Sequence, residues 1–423
     1  MKHDVIIIGA GAAGLAAMRK LVGAGLHVCM IEAANSPGGR IATIREGFKE
    51  PAEAGAEFIH GRLPYTIKLI KEAKLSYQPV KGDMIGVRNG EWRKEEHDDH
   101  WEKFMRQLKK LRTDITVQQF LEQHFAEGEY IELRNAVRRF AEGFNLADIS
   151  KASMLSLKDE WKSIGKTQFR LNGGYGQLIE FLYDRCNGDN SEFHFNTIAD
   201  KVNYKENVTV HTTAKQKFGA DRVIITVSAG VLQSGSLQFD PPLKEHSMAI
   251  QSLGFGAIIK FLLEFRTNFW GKVDDNIGFL LTDEIIPTWW TQSPTQSNLL
   301  TGWMGGPKAA ENIYQPESSL LQTALICLSS IFKIAPAMLK EELINYKIIN
   351  WLADPFVKGG YSYNTLHSKN AKDILSKPVA GKIYFAGEAI CQGDSQGTVE
   401  SALQSGYETA DLLLKHYKKN QAY

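Results

Sequence analysis

The sequence has little cysteine, and what it has is scattered. Its four cysteines, Cys29, Cys186, Cys327 and Cys391, form no CxxC pair, whereas zinc sites and disulfide frameworks use closely spaced or numerous cysteines. We therefore expect neither a metal site nor a disulfide framework. A chain without disulfides suits a reducing compartment, so we expect a cytoplasmic location.

Long apolar runs and an excess of one charge are also missing. No stretch approaches the roughly 18 consecutive apolar residues that a membrane span needs, so we expect no span. Lys and Arg together number 49 and Asp and Glu 48, which leaves no global field to recruit nucleic acid or an anionic membrane. With 423 residues, 43% hydrophobic and 23% charged, the chain is typical of a globular enzyme with two domains.

The first 33 residues have the pattern of a strand, a glycine turn, a helix and a second strand. Gly9, Gly11 and Gly14 show the GxGxxG spacing, which allows a tight turn, close approach to a pyrophosphate and close packing of the helix. Glu32 ends the second strand, where a carboxylate can accept hydrogen bonds from ribose hydroxyls. The pattern predicts a dinucleotide site; a tight turn without a ligand is the alternative.

The rest of the chain predicts an α/β fold with two interleaved domains. Residues 64–150 have apolar residues at helical spacing and predict a mainly helical insertion. Alternating apolar runs between 258 and 304 predict a mixed or antiparallel sheet. We therefore expect a discontinuous Rossmann-like nucleotide domain formed by 1–63, 190–250 and 376–423. The remaining segments, 64–189 and 251–375, are expected to form a substrate-binding domain with a mixed sheet and helices.

The segment after Glu32 favours FAD over NAD. Gly38 and Gly39 let the backbone lie against a long cofactor, and Arg40 can neutralise its pyrophosphate with directed donors. With this segment the sequence resembles the flavin-dependent amine oxidases, the family of monoamine oxidases, polyamine oxidases, L-amino-acid oxidases and flavin-dependent histone demethylases. The resemblance runs from end to end and implies a flavoprotein with a Rossmann-like FAD-binding domain.

Four further segments, 53–61, 221–232, 351–363 and 385–399, carry the resemblance, although Ser228 stands where the family usually has proline. A helix beginning near Thr398 would place free N–H groups and partial positive charge beneath the flavin. Glu388 is expected to bind the ribityl chain, with an ordinary charged loop residue as the alternative. The further cofactor-binding residues that we predict are Ala56, Glu57, Val202, Trp351, Gly387, Glu388, Thr398 and Val399.

Two departures from the family pattern bear on the flavin. Some monoamine oxidases bind FAD covalently through a cysteine after a glycine pair, but here Tyr361 follows Gly359 and Gly360, so the resemblance implies non-covalent FAD. Thr398 occupies the place of the second aromatic wall, which leaves Tyr361 as the wall of a half cage. That half cage is closer to the histone demethylase pattern, yet the chain has neither a chromatin-partner tower nor a basic surface signature.

Lys260 is the first candidate catalytic residue. It lies in the apolar run 256–265, which predicts a strand, and a buried lysine needs a partner or a function. The resemblance implies that it holds a water against flavin N5; a solvated face shared with Leu262 and Glu264 is the alternative. The HG ending at His60 is similar to animal polyamine oxidases and implies a histidine at the substrate entrance, with a purely structural histidine as the alternative.

The leading functional prediction is FAD-dependent oxidation of a small aliphatic amine, with a polyamine as one option. Hydride passes to the flavin, the imine is hydrolysed to an aldehyde, and O₂ reoxidises the flavin to give H₂O₂. The alternatives are a desaturase or dehydrogenase of an apolar substrate, an L-amino-acid oxidase, although no arginine stands out for its carboxylate, and a non-catalytic flavin-bearing redox or binding protein. A homodimer is left open.

Overall fold

The computed structural model describes residues 3–61, 63–88, 90–94, 99–161, 167–393 and 395–421. Over these residues the chain forms two large sheets, each covered by its own helices, with a long cavity between them. The strands, in chain order, are β1 (His3–Ile8), β2 (Val28–Ile31), β3 (Thr43–Ile44), β4 (Ala52–Glu53), β5 (Ile59–His60), β6 (Tyr77–Pro79), β7 (Asp83–Arg88), β8 (Glu91–Lys94), β9 (Gln168–Leu171), β10 (Ser191–His194), β11 (Ala199–Asn203), β12 (Val208–Thr212), β13 (Lys217–Ile225), β14 (Gln238–Asp240), β15 (Gly254–Phe255), β16 (Ile258–Phe265), β17 (Ile277–Thr282), β18 (Thr288–Trp290), β19 (Leu299–Gly305), β20 (Leu343–Asn350), β21 (Ser362–Tyr363) and β22 (Ile383–Phe385).

The helices connect these strands and cover the sheets. In chain order they are α1 (Ala12–Val22), α2 (Pro64–Glu72), α3 (Asp99–Lys110), α4 (Val117–His124), α5 (Ile131–Arg139), α6 (Met154–Trp161), α7 (Gly176–Cys186), α8 (Ala229–Gln233), α9 (Lys244–Ser252), α10 (Pro307–Glu311), α11 (Glu317–Phe332), α12 (Pro336–Glu342), α13 (Ser368–Leu375) and α14 (Val399–Gln421). α3 to α6 share one apolar cluster. α5 continues into a π-helical turn, Phe140–Phe144.

The first sheet is built on the predicted strand, glycine turn, helix and strand. Its order is β10-β2-β1-β13-β12-β11-β14, with β22 also paired to β13, and its central strands are parallel. Residues 5–8 of β1 are buried because helices cover both faces of the sheet, as parallel strands require. α1, α7 and α14 pack on one face, and α9 and α13 pack on the other.

The second sheet has the order β20-β16-β19-β18-β17-β7-β8, in which β17 and β7 form the parallel pair. β16 is buried along its whole length, and strand alternation decides which side chains face which side. Ile259, Phe261 and Leu263 pack in the core beneath α11 and α12. Ile258 and Lys260 therefore face the opposite side, where they line the cavity.

Two helices pack on the nucleotide side, although the sequence predicts 64–189 to belong to the substrate-binding domain. α2 contacts α14 and α7 contacts α1, and both helices contribute to the core of the first sheet. β6, β7 and β8 also interrupt the segment 64–150 that the pattern predicts to be mainly helical. The apolar face of α7 would fit either core, so its spacing alone does not identify the sheet that it covers.

α11 belongs to the core of the second sheet. Its residues Leu325, Leu328 and Ile331 are buried there. In the described part of the chain, no single helix has the length and composition needed to cross a membrane. α11 and α12 meet that criterion only when taken together, and they are bent by 111° at the break between them.

Gly14→Ala tests how closely α1 must pack against the glycine turn. A Cβ at Gly14 would lie 2.0 Å from the carbonyl oxygen of Gly9, so the backbone has to shift, and overpacking of this kind costs about 1–3 kcal/mol. We expect Tm to fall by about a few degrees in thermal unfolding. Gly188→Ala is the matched control, since its Cβ would meet nothing within 4 Å. Equal Tm values for the two variants would contradict this packing argument.

Candidate functional site

A single cavity of about 2300 Å³ runs between the two sheets. It starts at the carboxyl ends of β1 and β2, where open parallel sheets bind ligands, and continues along the second sheet to β7 and β8. Every predicted site residue lines it except Gly14, which packs α1 onto the glycine turn, and Val202. The volume exceeds the roughly 300–1,000 Å³ of a typical ligand pocket, which leaves room for a dinucleotide and a separate substrate.

The glycine turn after β1 leaves space for a phosphate group. Gly9 has a φ of +109°, which side chains rarely adopt, and a Cβ there would lie 2.7 Å from the Thr226 hydroxyl. At Gly11 and Gly39, a Cβ would meet no described atom closer than 3.8 Å. α1 begins at Ala12 without a side-chain cap, so its first N–H groups are available to an anion. A pyrophosphate therefore fits here.

Glu32 follows β2 directly and is held by two backbone groups. Its carboxylate accepts hydrogen bonds from the N–H of Ala10 at 2.6 Å and of Ala34 at 2.8 Å. A carboxylate has about four acceptor sites, so Glu32 keeps capacity for ribose hydroxyls. The structure thus places Glu32 where the motif predicts it, in the wall of the cavity.

Val202 has to be removed from the predicted cofactor set. It is completely buried in β11 and packs in the core of the first sheet, outside the cavity lining. Residues 197–199, which lead into β11, line the cavity instead. Strand alternation turns Val202 towards the core, and its apolar character alone gave no sign of which face it would take.

Arg40 and Glu388 form an ion pair in the cavity wall. Arg40 Nη1 lies 2.7 Å from Glu388 Oε1 and donates to the carbonyl oxygen of Gly360 at 2.8 Å. The other carboxylate oxygen of Glu388 accepts from the Ser362 hydroxyl at 2.6 Å. The Glu388 side chain is 5% exposed and that of Arg40 28%, so Arg40 can still donate to a phosphate. Glu388 is therefore a buried, fixed carboxylate and not an ordinary loop residue.

Residues 54–56 pack closely against the backbone of Arg40. Ala56 N–H donates to the carbonyl oxygen of Arg40 at 3.0 Å, and a Cβ at Gly55 would lie 1.8 Å from that same oxygen. Trp351 donates its indole N–H to the carbonyl oxygen of Ala54 at 3.0 Å. Ala56 and Trp351 line the cavity, so this segment and the loop after β20 form one continuous wall.

The N-terminus of α14 opens onto the cavity. The Thr398 hydroxyl accepts from the N–H of Ser401 at 3.3 Å and caps the helix, and Thr398 and Val399 line the cavity. Gly387 N–H donates to the hydroxyl of Ser405 on the same helix at 3.0 Å. The partially positive end of a long helix therefore faces the cavity, where it favours negative charge on a bound group.

Lys260 is buried within the cavity wall, with a relative exposure of 1%. Its Nζ lies 2.7 Å from Glu57 Oε2 and 3.2 Å from the carbonyl oxygen of Gly55. Leu262 and Glu264, on the same face of β16, are also buried. The solvated-face interpretation of this strand is therefore wrong, and the ion pair explains how a lysine can occupy the position.

Both carboxylate oxygens of Glu57 accept hydrogen bonds from protein groups. Besides Lys260, it accepts hydrogen bonds from Arg170 and from the indole of Trp290. Burial alone would raise the pKa of the Glu57 carboxyl, but the Lys260 and Arg170 charges outweigh it and hold that pKa below its ordinary value. Glu57 lines the cavity as the resemblance predicts, yet it does so as the counterion of Lys260.

Aromatic rings line the part of the cavity next to Lys260, and we call this part, defined by His60, Phe144, Trp290, Trp303 and Tyr361, the aromatic chamber. Phe144 meets His60 edge-on with ring centroids 5.7 Å apart, and Trp303 stacks on Tyr361 at 6.4 Å. Trp290 packs against Trp303 at 5.6 Å. The π-helical turn holds two of these rings, because Trp303 donates to the carbonyl oxygen of residue 143 at 2.7 Å and the Tyr361 hydroxyl donates to that of Phe144.

His60 is expected to be uncharged at neutral pH. Burial among these rings lowers the pKa of its imidazole to about 4, and none of the described residues hydrogen-bonds to it. A neutral imidazole can accept a hydrogen bond without adding positive charge to the chamber. The prediction of a histidine beside the substrate space is thus matched by its position, while its role stays a prediction.

Four further residues of this site escaped the sequence analysis. Arg170 and Phe144 carry no recognisable motif, and the contact of Arg170 with Glu57 spans 113 residues. Trp290 and Trp303 lie in runs that predict strands. Because they alternate with core residues, they belong to the face opposite the core, and this was the available signal that they could line a site. Aromatic residues on the inner face of a strand are more often core than site, so that signal was weak.

Comparison with known proteins places the chain in a single family. The family model described as "Flavin containing amine oxidoreductase" matches residues 12–414. The fold is similar to wild-type putrescine oxidase bound to putrescine, with a TM-score of 0.81 and 22% identity over 98% of this chain and 99% of that chain. Cyclohexylamine oxidase from Brevibacterium oxydans is equally similar, with a TM-score of 0.81 and 22% identity over 99% and 100%. At these identities the likeness shows the fold.

Curated relatives are similar over nearly the whole chain. Lysine-specific histone demethylase 2 of Homo sapiens is 27% identical over 447 residues, which cover 97% of this chain and 53% of that protein. Lysine-specific histone demethylase 1 homolog 3 of Arabidopsis thaliana is 25% identical over 504 residues, which cover 100% and 30%. The chain thus spans about half or less of the length of these two relatives.

Arg40→Ala should weaken FAD binding while the fold persists. A charge-assisted contact to phosphate contributes about 1.5–3 kcal/mol, so we expect the Kd for FAD to rise by roughly 10- to 100-fold in titrations of the apoprotein. Arg45→Ala is the matched control, because Arg45 is exposed, pairs with Glu180 and lies outside the cavity lining. If both variants bind FAD like the wild type, Arg40 does not contact the cofactor.

Glu53→Gln should change the pH dependence of stability. Burial raises the pKa of the Glu53 carboxyl from 4.5 to about 7, so the folded state loses stability as pH rises from the lower value through the higher one. Glutamine cannot ionise, and we expect a Tm gain worth about 1–3 kcal/mol at about pH 8 and little change at about pH 5. The exposed Glu122→Gln serves as control. A Tm difference independent of pH would refute the assignment.

Proposed function

Because the chain belongs to the family of flavin-containing amine oxidoreductases, we propose that it oxidises a small amine whose nitrogen is attached to a saturated, hydrogen-bearing carbon of an apolar group, such as a cycloalkyl or arylmethyl group. FAD is the cofactor, and when bound it takes a hydride from the carbon next to nitrogen and passes the electrons to O₂, giving H₂O₂. The amine becomes an imine, which water hydrolyses to a carbonyl compound. The observation that carries this proposal is the aromatic chamber beside the buried Lys260.

The chamber residues have separate roles in this proposal. Tyr361 and Trp303 offer ring faces on which the apolar part of an amine packs, and their bonds to the π-helical turn keep the rings in place. His60 accepts a hydrogen bond from an N–H of the amine and orients its nitrogen, without adding positive charge beside it. Lys260 donates to a water that attacks the imine. Position and chemistry support the roles of the rings and of His60, and the resemblance to the family supplies that of Lys260.

A polyamine is a poorer match to the aromatic chamber. Its distal nitrogens remain positively charged at neutral pH and call for carboxylates. Glu57, the carboxylate that Trp290 binds, is already neutralised by Lys260 and Arg170. The leading expectation of an aliphatic amine is therefore kept, and the polyamine option is replaced by an apolar monoamine. Of the two similar structures, cyclohexylamine oxidase bears the name of such a substrate.

An α-amino acid is also disfavoured by the positions of the four described arginines that line the cavity. Arg40 is paired with Glu388 at the cofactor end, Arg93 lies on the edge strand β8, and Arg88 and Arg139 lie far from Lys260. Both contact Asp283, and Arg88 donates to the carbonyl oxygen of Leu281 at 2.5 Å. Adjacent strands lie about 4.8 Å apart, so three steps across the sheet amount to roughly 14 Å. An amino acid has its carboxylate on the reacting carbon itself. The three steps are counted along paired residues of neighbouring strands: Lys260 pairs with Trp303, Trp303 with Thr288, and Thr288 with Leu281.

We also propose that FAD is bound without a covalent link. Tyr361 stands where the attaching cysteine would be, and all four cysteines are buried and lie outside the cavity lining. Burial raises the pKa of the nearest candidate by sequence, Cys391, to about 12, so its thiol is a weak nucleophile. Acid precipitation should therefore leave the flavin in the supernatant.

An amine panel read out by peroxide formation tests the proposed substrate class. We expect cyclohexylamine and benzylamine to give higher kcat/KM than putrescine, spermidine or L-leucine, because the chamber is aromatic and its carboxylate is neutralised. Lys260→Met is the internal control: it should retain FAD and lose most of the activity. Preference for a polyamine would overturn the substrate assignment. If no amine gives peroxide and none bleaches the flavin absorbance in the same samples, the desaturase or non-catalytic alternative is favoured.

A further inference from the structure

Glu57 is held in place by groups other than Lys260. Its Oε1 accepts from Arg170 Nε and from Trp290 Nε1, both at 2.9 Å. Arg170 is itself fixed, since its Nη atoms donate to the carbonyl oxygens of Thr291 and Ser293 at 3.0 and 3.1 Å. The Glu57 and Arg170 side chains are only 5% and 11% exposed. The carboxylate that meets Lys260 therefore has one orientation.

The Lys260 ammonium has three N–H groups, and two have acceptors. These are Glu57 Oε2 at 2.7 Å and the carbonyl oxygen of Gly55 at 3.2 Å. Among the described residues the third N–H has no acceptor, although Nζ is buried and Lys260 lines the cavity. Two fixed acceptors on the protein side determine the direction of the third N–H, which is left for a ligand or water in the aromatic chamber.

The charges in this cluster do not cancel. Lys260 and Arg170 are cations and Glu57 is the anion between them, so the cluster keeps one net positive charge. Glu53, on β4, is a further titratable group that feels both Lys260 and Glu57. Without the Glu57 carboxylate, two buried cations would face each other, and the lysine would give up its proton more readily because the guanidinium stays charged.

We propose that Glu57, clamped by Arg170 and Trp290, is a positioning residue that fixes the Lys260 ammonium so that its third N–H faces the aromatic chamber. Glu57 thus acts on the reaction through Lys260 and not through the cofactor. The inference rests on the proposed amine oxidation for its consequence in catalysis. Its structural part stands apart from that activity and can be measured without any substrate.

A double-variant comparison of Tm tests the structural part. Glu57→Gln should lower Tm clearly, because it leaves two buried cations without their anion. Adding Lys260→Met should restore part of that loss, since one of the two cations is then gone. Glu264→Gln is the matched control: Glu264 is also buried on β16, and no described residue forms an ion pair with it. Additive losses in the double variant would overturn the proposal.

The rate of flavin reduction by cyclohexylamine tests the catalytic part. Glu57→Gln should keep FAD yet reduce it on the order of 100-fold more slowly, the effect of a misplacement of about 1 Å. In a plot of the flavin-reduction rate against pH, the transition of Glu57→Gln should lie at lower pH than that of the wild type. A variant that is only less stable would show its transition at the wild-type pH. Glu264→Gln should behave like the wild type.

The outcomes separate this inference from the proposed function. If the wild type oxidises amines and Lys260→Met is slow, but Glu57→Gln has the wild-type rate and pH profile, the positioning role is wrong and amine oxidation stands. If the wild type oxidises no amine, the proposed function fails, while the Tm comparison still decides whether Glu57 and Lys260 are coupled. Rescue of Tm by the double variant together with a shifted pH profile supports the proposal.

Discussion

The buried Lys260 ammonium is the constraint on which the arrangement of the site depends. Moving an ammonium from water into a protein interior is costly unless a counterion and hydrogen bonds replace its hydration. Glu57 comes from the segment after β4, Arg170 from β9 and Trp290 from β18, so three distant parts of the chain must converge on β16. The ion pair thereby holds β16 of the second sheet against residues 55–57.

This convergence gives the cavity two chemically different ends. The end at β1 and β2 has glycine turns, a helix N-terminus and the Arg40–Glu388 pair, which suit the phosphates and hydroxyls of a dinucleotide. The other end is the aromatic chamber, in which the rings of Trp303 and Tyr361 are anchored through backbone carbonyls of the π-helical turn. One net positive charge stands between the two ends. Such a charge stabilises negative charge that develops there during a reaction.

The cofactor half of the site could be predicted because its parts act locally. Gly9, Gly11, Glu32 and Arg40 belong to one strand, helix and strand unit with its following loop, so spacing alone relates them. Lys260 could be predicted to need a partner, since a lysine in an apolar strand is unusual. Its partner could not be named from spacing, because the contact with Glu57 spans 203 residues.

The differences between prediction and structure have the same physical origin. Val202 and α7 were assigned from local pattern, and long-range packing decided where each of them lies. Phe144 depends on a π-helical turn, which has no sequence signature comparable to a glycine motif. In this protein, sequence reasoning does not predict which side chains are brought together by sheet register and helix packing.

The most direct test of amine oxidation is a deuterium isotope effect on anaerobic reduction of the bound flavin. Holoprotein would be mixed with cyclohexylamine carrying either hydrogen or deuterium on the carbon attached to nitrogen. If that carbon donates the hydride in the aromatic chamber, the flavin is reduced by both compounds and markedly more slowly by the deuterated one. A flavin that stays oxidised with both amines, or is reduced at equal rates by the two, would contradict the account.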